Sequence, residues 1–127
     1  MDIFLYKNYD EWSKDEAFEV LHGNLIFTNS GLVLIETTYE YKYYKQIISF
    51  NNIFAIVYKL PYNCLNFPKE INVYKDSESW QTSTSNDVFY GEIQIDECTD
   101  NHVSFNTSDG YKQIISLSKS FAVTYES

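Results

Sequence analysis

The chain has 127 residues, including 18 Asp and Glu, nine Lys and no Arg, and its formal net charge is −9. Because Arg supplies the planar fork that grips phosphates and base edges, this composition disfavours direct nucleic-acid binding. No apolar run approaches the length that spans a bilayer, and the N-terminus lacks the basic start of a signal peptide, so we expect a cytoplasmic protein. The hydrophobic content of 44% is sufficient for a folded core.

Alternating apolar residues and turn-forming residues predict a chain built almost entirely from strands. The strands predicted in the first half are 3–7, 20–28, 32–37, 44–49 and 54–58. Those predicted in the second half are 71–75, 88–96, 102–107, 111–116 and 121–125. One helix is predicted, over 13–21, because Ser13 could cap it with Glu16 three residues on. The corresponding segment 81–87 is rich in Ser and Thr and is predicted to be a loop.

The hexapeptide Tyr-Lys-Gln-Ile-Ile-Ser occurs twice, at 44–49 and 111–116. Other positions recur at nearly the same offset, among them Trp12 with Trp80 and Gly23 with Gly91. The chain therefore reads as two copies of one unit, at 1–60 and 69–127, with a linker at 61–68 that contains both prolines. We expect the two Trp and the hexapeptides to serve packing and strand pairing, and the two Gly to mark a bulge or a close backbone approach.

These patterns predict an all-β fold in which a five-stranded unit of about 60 residues is duplicated in tandem. Each unit would be an SH3-like barrel or a small sheet, and the two would pack as a pseudo-twofold pair. A single ten-stranded closed barrel is the structural alternative, since closure also removes exposed edges.

The residues that commonly form catalytic or metal sites are scattered. His22 and His102 do not occupy matching positions in the two copies, and Cys64 and Cys98 are expected to be ordinary thiols. No zinc-ligand spacing, nucleophile elbow or glycine-rich phosphate loop is present. We therefore expect a protein that is not an enzyme and that needs no metal or cofactor.

Two features differ between the copies and are candidates for a partner-binding site. The first is an acidic strand in the second copy, where the first copy has neutral residues; its members are Glu92, Asp96, Glu97 and Asp100. Alternation places Glu92 and Asp96 on the face opposite Ile93 and Ile95. Such a face would attract a basic partner.

The second feature is a hairpin rich in tyrosine, which the second copy replaces with a tight turn three residues shorter at 108–110. Strict alternation would place Tyr39, Tyr41 and Tyr43 on one face. Because Tyr provides rigid, amphipathic contact area, this stripe predicts an interface.

In size, acidity and strand content, the chain resembles the small acidic immunity proteins of bacterial toxin systems and phage-encoded inhibitors of host defence. This resemblance implies a protein that neutralises a basic protein partner, either a toxin or an enzyme, by direct binding. Residues 23–34 are similar to the Thr-containing hairpin of the GRAM and bacterial PH-like families, which implies a membrane- or peptide-docking module as the alternative. The acidity and the absence of Arg argue against a membrane. A structural assembly subunit, or a homodimer, is the third expectation.

Overall fold

The computed structural model describes residues 2–28, 32–39, 42–59, 69–96, 102–107, 109–117 and 122–125. Within these ranges the chain is mostly β-strand and forms two antiparallel sheets. Neither helix in these ranges has the length and apolar character needed to cross a membrane. The linker predicted at 61–68, Cys64 and Cys98 all lie outside the described residues.

Eleven strands, two one-turn α-helices and one 3₁₀ turn make up the described fold. The elements of the first half are β1 (Asp2–Tyr6), α1 (Tyr9–Ser13), β2 (Glu19–His22), β3 (Asn24–Phe27), β4 (Leu32–Tyr39), β5 (Lys42–Ser49), a 3₁₀ turn (Phe50–Asn52) and β6 (Ala55–Lys59). Those of the second half are β7 (Lys69–Tyr74), α2 (Ser77–Gln81), β8 (Asp87–Asp96), β9 (His102–Thr107), β10 (Tyr111–Ser116) and β11 (Ala122–Tyr125). All predicted strands are confirmed to within a few residues, with one prediction divided between β2 and β3.

The larger sheet has eight strands in the order β11-β7-β8-β9-β10-β6-β1-β2, and the smaller has the order β3-β4-β5. The strands of the two halves have corresponding neighbours. The first half has the orders β6-β1-β2 and β3-β4-β5, and the second has the order β11-β7-β8-β9-β10, in which β8 takes the place of β2 and β3 together. They join where β10 of the second half pairs with β6 of the first. No closed barrel forms among the described strands, so the ten-stranded barrel and the SH3-like barrel are wrong for this part of the chain.

The reason is that the shared sheet packs on both of its faces. Leu5 pairs with Ile56, and Ile56 with Ile114, so these three lie on one face and belong to the first core. One residue along, Phe4 pairs with Val57 and lies on the opposite face, against the second core. The first core holds Ile3, Leu5, Leu21, Val33, Ile35, Phe50, Ile53, Ile56, Tyr58 and Ile114. The second holds Tyr6, Trp12, Phe54, Ala55, Ile71, Val73, Val103, Phe105 and Ile115. A barrel needs one interior, whereas this sheet contributes a different face to each core.

Gly23 and Gly91 occupy points where two backbones nearly touch. A Cβ on Gly23 would lie 1.9 Å from the carbonyl oxygen of Glu36, and one on Gly91 would lie 2.0 Å from that of Asn106. Gly23 also has a φ of +156°, and the strand breaks there into β2 and β3. The predicted close approach is therefore confirmed at both glycines.

The predicted helix over 13–21 is wrong, whereas the loop predicted over 81–87 is confirmed for 82–86, between the end of α2 at Gln81 and the start of β8 at Asp87. A one-turn helix begins earlier, at Tyr9, because the Asn8 side chain accepts a hydrogen bond from the Glu11 N–H at 2.8 Å. Asp76 caps α2 in the same way, accepting from the Ser79 N–H at 2.7 Å. Ser13 ends α1, and its hydroxyl donates back to the Asp10 carbonyl oxygen. Asn8 and Asp76 are thus the N-caps of the two helices, and both are residue types that favour this position.

Candidate functional site

The predicted acidic strand is only partly described. Glu92 lies in β8 and is half-buried; the Asn106 amide donates to its carboxylate at 3.5 Å. Asp96 ends β8 opposite His102, while Glu97 and Asp100 lie outside the described residues. The register pairs Glu92 with Asn106 and Ile93 with Phe105, which confirms the predicted alternation of faces at this point. Contact between Glu92 and a partner stays a prediction.

The predicted tyrosine stripe does not form along one strand. Tyr39 ends β4 opposite Lys42, and Tyr43 pairs with Thr38. Paired residues share a face of the sheet and consecutive residues alternate between faces, so positions 39 and 43 lie on opposite faces of this hairpin. The predicted placement of positions 39 and 43 on one face is therefore wrong. Tyr41 lies outside the described residues. Tyr43 is 85% exposed and remains a candidate contact residue.

A groove of about 360 Å³ lies on the other face of the large sheet from Glu92, where the two halves meet. Phe4 and Val57 pair across β1 and β6, and Gln113 of β10 pairs with Val57, so they share that face. The lining residues are Phe4, Tyr6, Asp15, Val57, Asp109, Tyr111 and Gln113. A second pocket of about 200 Å³ shares Asp15, Val57 and Gln113 with it and adds Trp12, Ser13, Asp87 and Phe89. We refer to the two pockets together as the junction groove.

Three carboxylates from separate parts of the chain line the junction groove. Asp15 follows α1 in a left-handed conformation with φ of 54°, and Asp87 begins β8. Asp109 lies in the turn between β9 and β10 and accepts a hydrogen bond from the Thr107 hydroxyl. Among the residues whose side chains the structure describes, no lysine lines either pocket. The groove is therefore lined by negative charge from both halves.

Local electrostatics oppose a full negative charge in the groove. Burial raises the pKa of Asp87; a hydrogen bond from the Val88 N–H partly offsets this, and the negative charge of Asp15 adds to the rise. Burial, followed by the charge of Asp15, also raises the pKa of Tyr6, so its phenol stays protonated as a donor. The ion pairs within the described residues, Lys45–Glu36 and His22–Asp2, lie outside the groove linings. A cation in the groove would relieve this repulsion.

The base of the groove is held rigidly by aromatic packing. The Trp12 indole N–H donates to the Gln113 side-chain oxygen at 3.2 Å, which links α1 of the first half to β10 of the second. The Trp12 ring lies 5.5 Å from that of Phe54 and 5.4 Å from that of Phe89. Because Trp12 contacts both halves, it determines where Asp15 stands relative to Asp87 and Gln113.

The chemistry that this arrangement supports is recognition of a cation with an apolar stem. Among the described residues, no group of three or more His, Cys, Asp or Glu is arranged to hold a metal ion. Phe4, Val57 and the tyrosines instead provide a partly apolar wall beside the carboxylates. A Lys or Arg side chain combines a long apolar stem with a charged end and fits such a groove.

Sequence reasoning missed these three carboxylates because they are far apart in the chain and each looks like an ordinary surface residue. The only sequence signal was the general excess of acid. The comparisons with protein-family models, with curated proteins and with solved structures each found no match.

Proposed function

We propose that this is a non-enzymatic, cytoplasmic binding protein that neutralises a basic protein partner by holding a Lys- or Arg-bearing segment in the junction groove. The observation that carries the proposal is the set of three carboxylates, Asp15, Asp87 and Asp109, which lines adjoining pockets with no lysine among their described lining residues. Occupation of a partner's basic segment would block whatever that segment binds.

Charge and burial together support a specific site over a general acidic surface. An exposed carboxylate gains little from one ion pair, because water screens it. Asp87 is half-buried, and its pKa is raised by that burial and by Asp15, so a cation placed there replaces lost solvation. Hydrogen bonds to a charged group typically contribute about 1.5–3 kcal/mol.

The acidic strand and the exposed tyrosine belong to this proposal as secondary contacts. Glu92 lies on the opposite face of the sheet from the groove, so a partner that reaches both would have to pass around an edge. Tyr43 lies on β5 of the smaller sheet and offers exposed aromatic area. The groove is the primary contact in this proposal. The variants Glu92→Gln and Tyr43→Ala test the two secondary contacts separately.

Duplication of one unit belongs to the same proposal. Corresponding residues repeat not only in sequence but in local geometry: Asp15 and Ser83 have φ of 54° and 55°. The Phe18 N–H donates to the Leu5 carbonyl at 3.0 Å, and the Asn86 N–H to that of Val73 at 2.9 Å. Asp15 is replaced by Ser at the matching position, which suggests that the acid serves function and the backbone geometry serves folding.

The test begins with capture of the partner by the tagged protein from a lysate of its own host, at low and high salt. The captured protein is then titrated by calorimetry against two triple variants that each remove three negative charges. One is the groove variant Asp15→Asn/Asp87→Asn/Asp109→Asn. Its control is Asp10→Asn/Glu19→Gln/Glu78→Gln, which alters exposed residues that line neither pocket.

The groove variant should weaken binding at least about tenfold, since it removes charge-assisted contacts. The control should weaken it no more than about threefold, through loss of long-range attraction alone. Equal losses in the two variants would contradict the groove and leave only general electrostatics.

A further inference from the structure

The two identical hexapeptides lie in different environments. In β10 the hexapeptide is covered on both sides, because β10 pairs with β9 along one edge and with β6 along the other. In β5 it pairs, among the described strands, with β4 alone, and β5 is the last strand of the smaller sheet. Ile114 in β10 is 3% exposed, whereas the matching Ile47 in β5 is 63% exposed.

A matching edge lies at the far end of the larger sheet. β6 pairs with β10 and with β1, while its counterpart β11 pairs with β7 and is the terminal strand. The two described sheets end in four strands, β11, β2, β3 and β5. Of these, β5 and β11 correspond to the two strands joined at the junction. β5 has the sequence of β10 and β11 is the counterpart of β6, so the two edges are complementary. They do not pair with each other in the described sheets.

The two tryptophans show the same asymmetry. Trp12 is 5% exposed because the second half covers it with Phe89 and Gln113. Trp80, at the matching position of α2, is 49% exposed. A strand with Gln46 in the position of Gln113 would lie beside Trp80 if it paired with β11 as β10 pairs with β6.

We propose that the β5 edge of one molecule pairs with the β11 edge of a second copy of this chain, in the register that joins β10 to β6 within the molecule. Ile114 faces Ile56 in the existing ladder, so Ile47 of one copy faces Val123 of the next. This surface is separate from the junction groove, so the inference does not depend on the proposed partner.

The arrangement of faces determines the kind of assembly. The joining contact is heterologous, because the edge of a β10-like strand meets the edge of a β6-like strand, which is a different surface. The cores on the two sides of the junction lie on opposite faces of the sheet. A heterologous contact extends head to tail and gives open chains or larger rings. β5 offers an eight-residue edge with Tyr43, Tyr44 and Ile47 exposed, which suits strand addition better than a protected edge does.

Disulfide trapping between two different chains tests the register. In a background of Cys64→Ser and Cys98→Ser, an Ile47→Cys chain is mixed with a tagged Val123→Cys chain and oxidised gently. The matched control mixes Gln46→Cys with Val123→Cys, because residue 46 lies on the opposite face of β5. We expect at least tenfold more mixed disulfide from the first pair than from the control.

Light scattering over a range of concentrations tests the assembly itself. The mass of the natural chain should grow with concentration, and Trp80 should become buried, which a blue shift of its fluorescence would report. Ile47→Lys should abolish both effects by placing a charge in the contact. Its control is Ile26→Lys, which alters an exposed Ile on the same face and at the opposite edge of the smaller sheet.

Three results would overturn the proposal. One is a mass that stays that of a monomer at all concentrations without the mixed disulfide. Another is a preference of the Ile47→Cys chain for pairing with itself, which would mean symmetric β5–β5 contact. The third is a disulfide within single molecules of the Ile47→Cys/Val123→Cys chain, which would mean closure inside one copy.

Discussion

Asp87 is the residue at which the demands of folding and of binding are most clearly opposed. Its carboxylate is half-buried, and its pKa is raised by that burial, with a further contribution from the charge of Asp15. A group held in this way weakens the folded state at neutral pH. Its retention at the base of a groove is understandable if a cation binds there.

Asp87→Asn should therefore stabilise the protein at neutral pH and not in acid. Since the folded-state pKa is raised, the folded protein binds this proton more tightly than the unfolded chain does. The stability that the proton contributes is present below the ordinary carboxyl pKa and is lost as pH rises through the raised one. Urea unfolding should show the variant and the natural chain closest near about pH 3, below the ordinary Asp range. By about pH 7 the variant should be more stable by about 0.5 kcal/mol, a small value because solvent screens a half-exposed group.

Glu78→Gln is the control for loss of one charge from the whole molecule. If the stability differences produced by Asp87→Asn and Glu78→Gln were the same at every pH, the account of Asp87 would be wrong.

At the scale of elements, local sequence patterns predicted the features of the fold that local interactions determine. Alternation gave the strands, since burial of one face imposes a period of two. The predicted capping box misplaced α1, because the side chain that caps this helix is Asn8 and not Ser13. Strict alternation put positions 39 and 43 on one face, although the register of the hairpin puts them on opposite faces. The pairing of β10 with β6, the two-sided packing and the groove depend on contacts between distant residues, which no local pattern encodes.

Gly23 and Gly91 determine how one strand of each half meets its neighbour. Ala at either position would place a Cβ about 2 Å from a backbone carbonyl oxygen, at Glu36 or Asn106. We expect Gly23→Ala and Gly91→Ala each to cost about 3 kcal/mol or more, because backbone on both sides has to shift. The midpoint of urea unfolding should fall without a large change in slope.

Asn24→Ala is the neighbouring control, since Asn24 is exposed; we expect a change within about 0.5 kcal/mol. A Gly91→Ala variant as stable as the Asn24→Ala variant would show that the backbones do not approach so closely.

At the scale of the whole molecule, one sheet serves two cores and creates a groove where the halves join. The joining strands supply Val57 and Gln113 to the base of the groove, and segments from both halves supply its carboxylates. The primary contact with a basic partner and the assembly of further copies would then use different parts of the molecule: the internal junction for the partner, and the outer edges β5 and β11 for further copies, with Tyr43 of β5 available to either.

The central claim is that a basic partner binds at the junction groove. The most direct measurement is a titration of the captured partner into isotope-labelled protein, following the backbone amide resonances by NMR in the Ile47→Lys background. The largest shifts should fall on the amides of Asp15, Val57, Asp87 and Gln113. Shifts confined to Glu92 and its neighbours on the outer face of β8, with the groove unchanged, would contradict it.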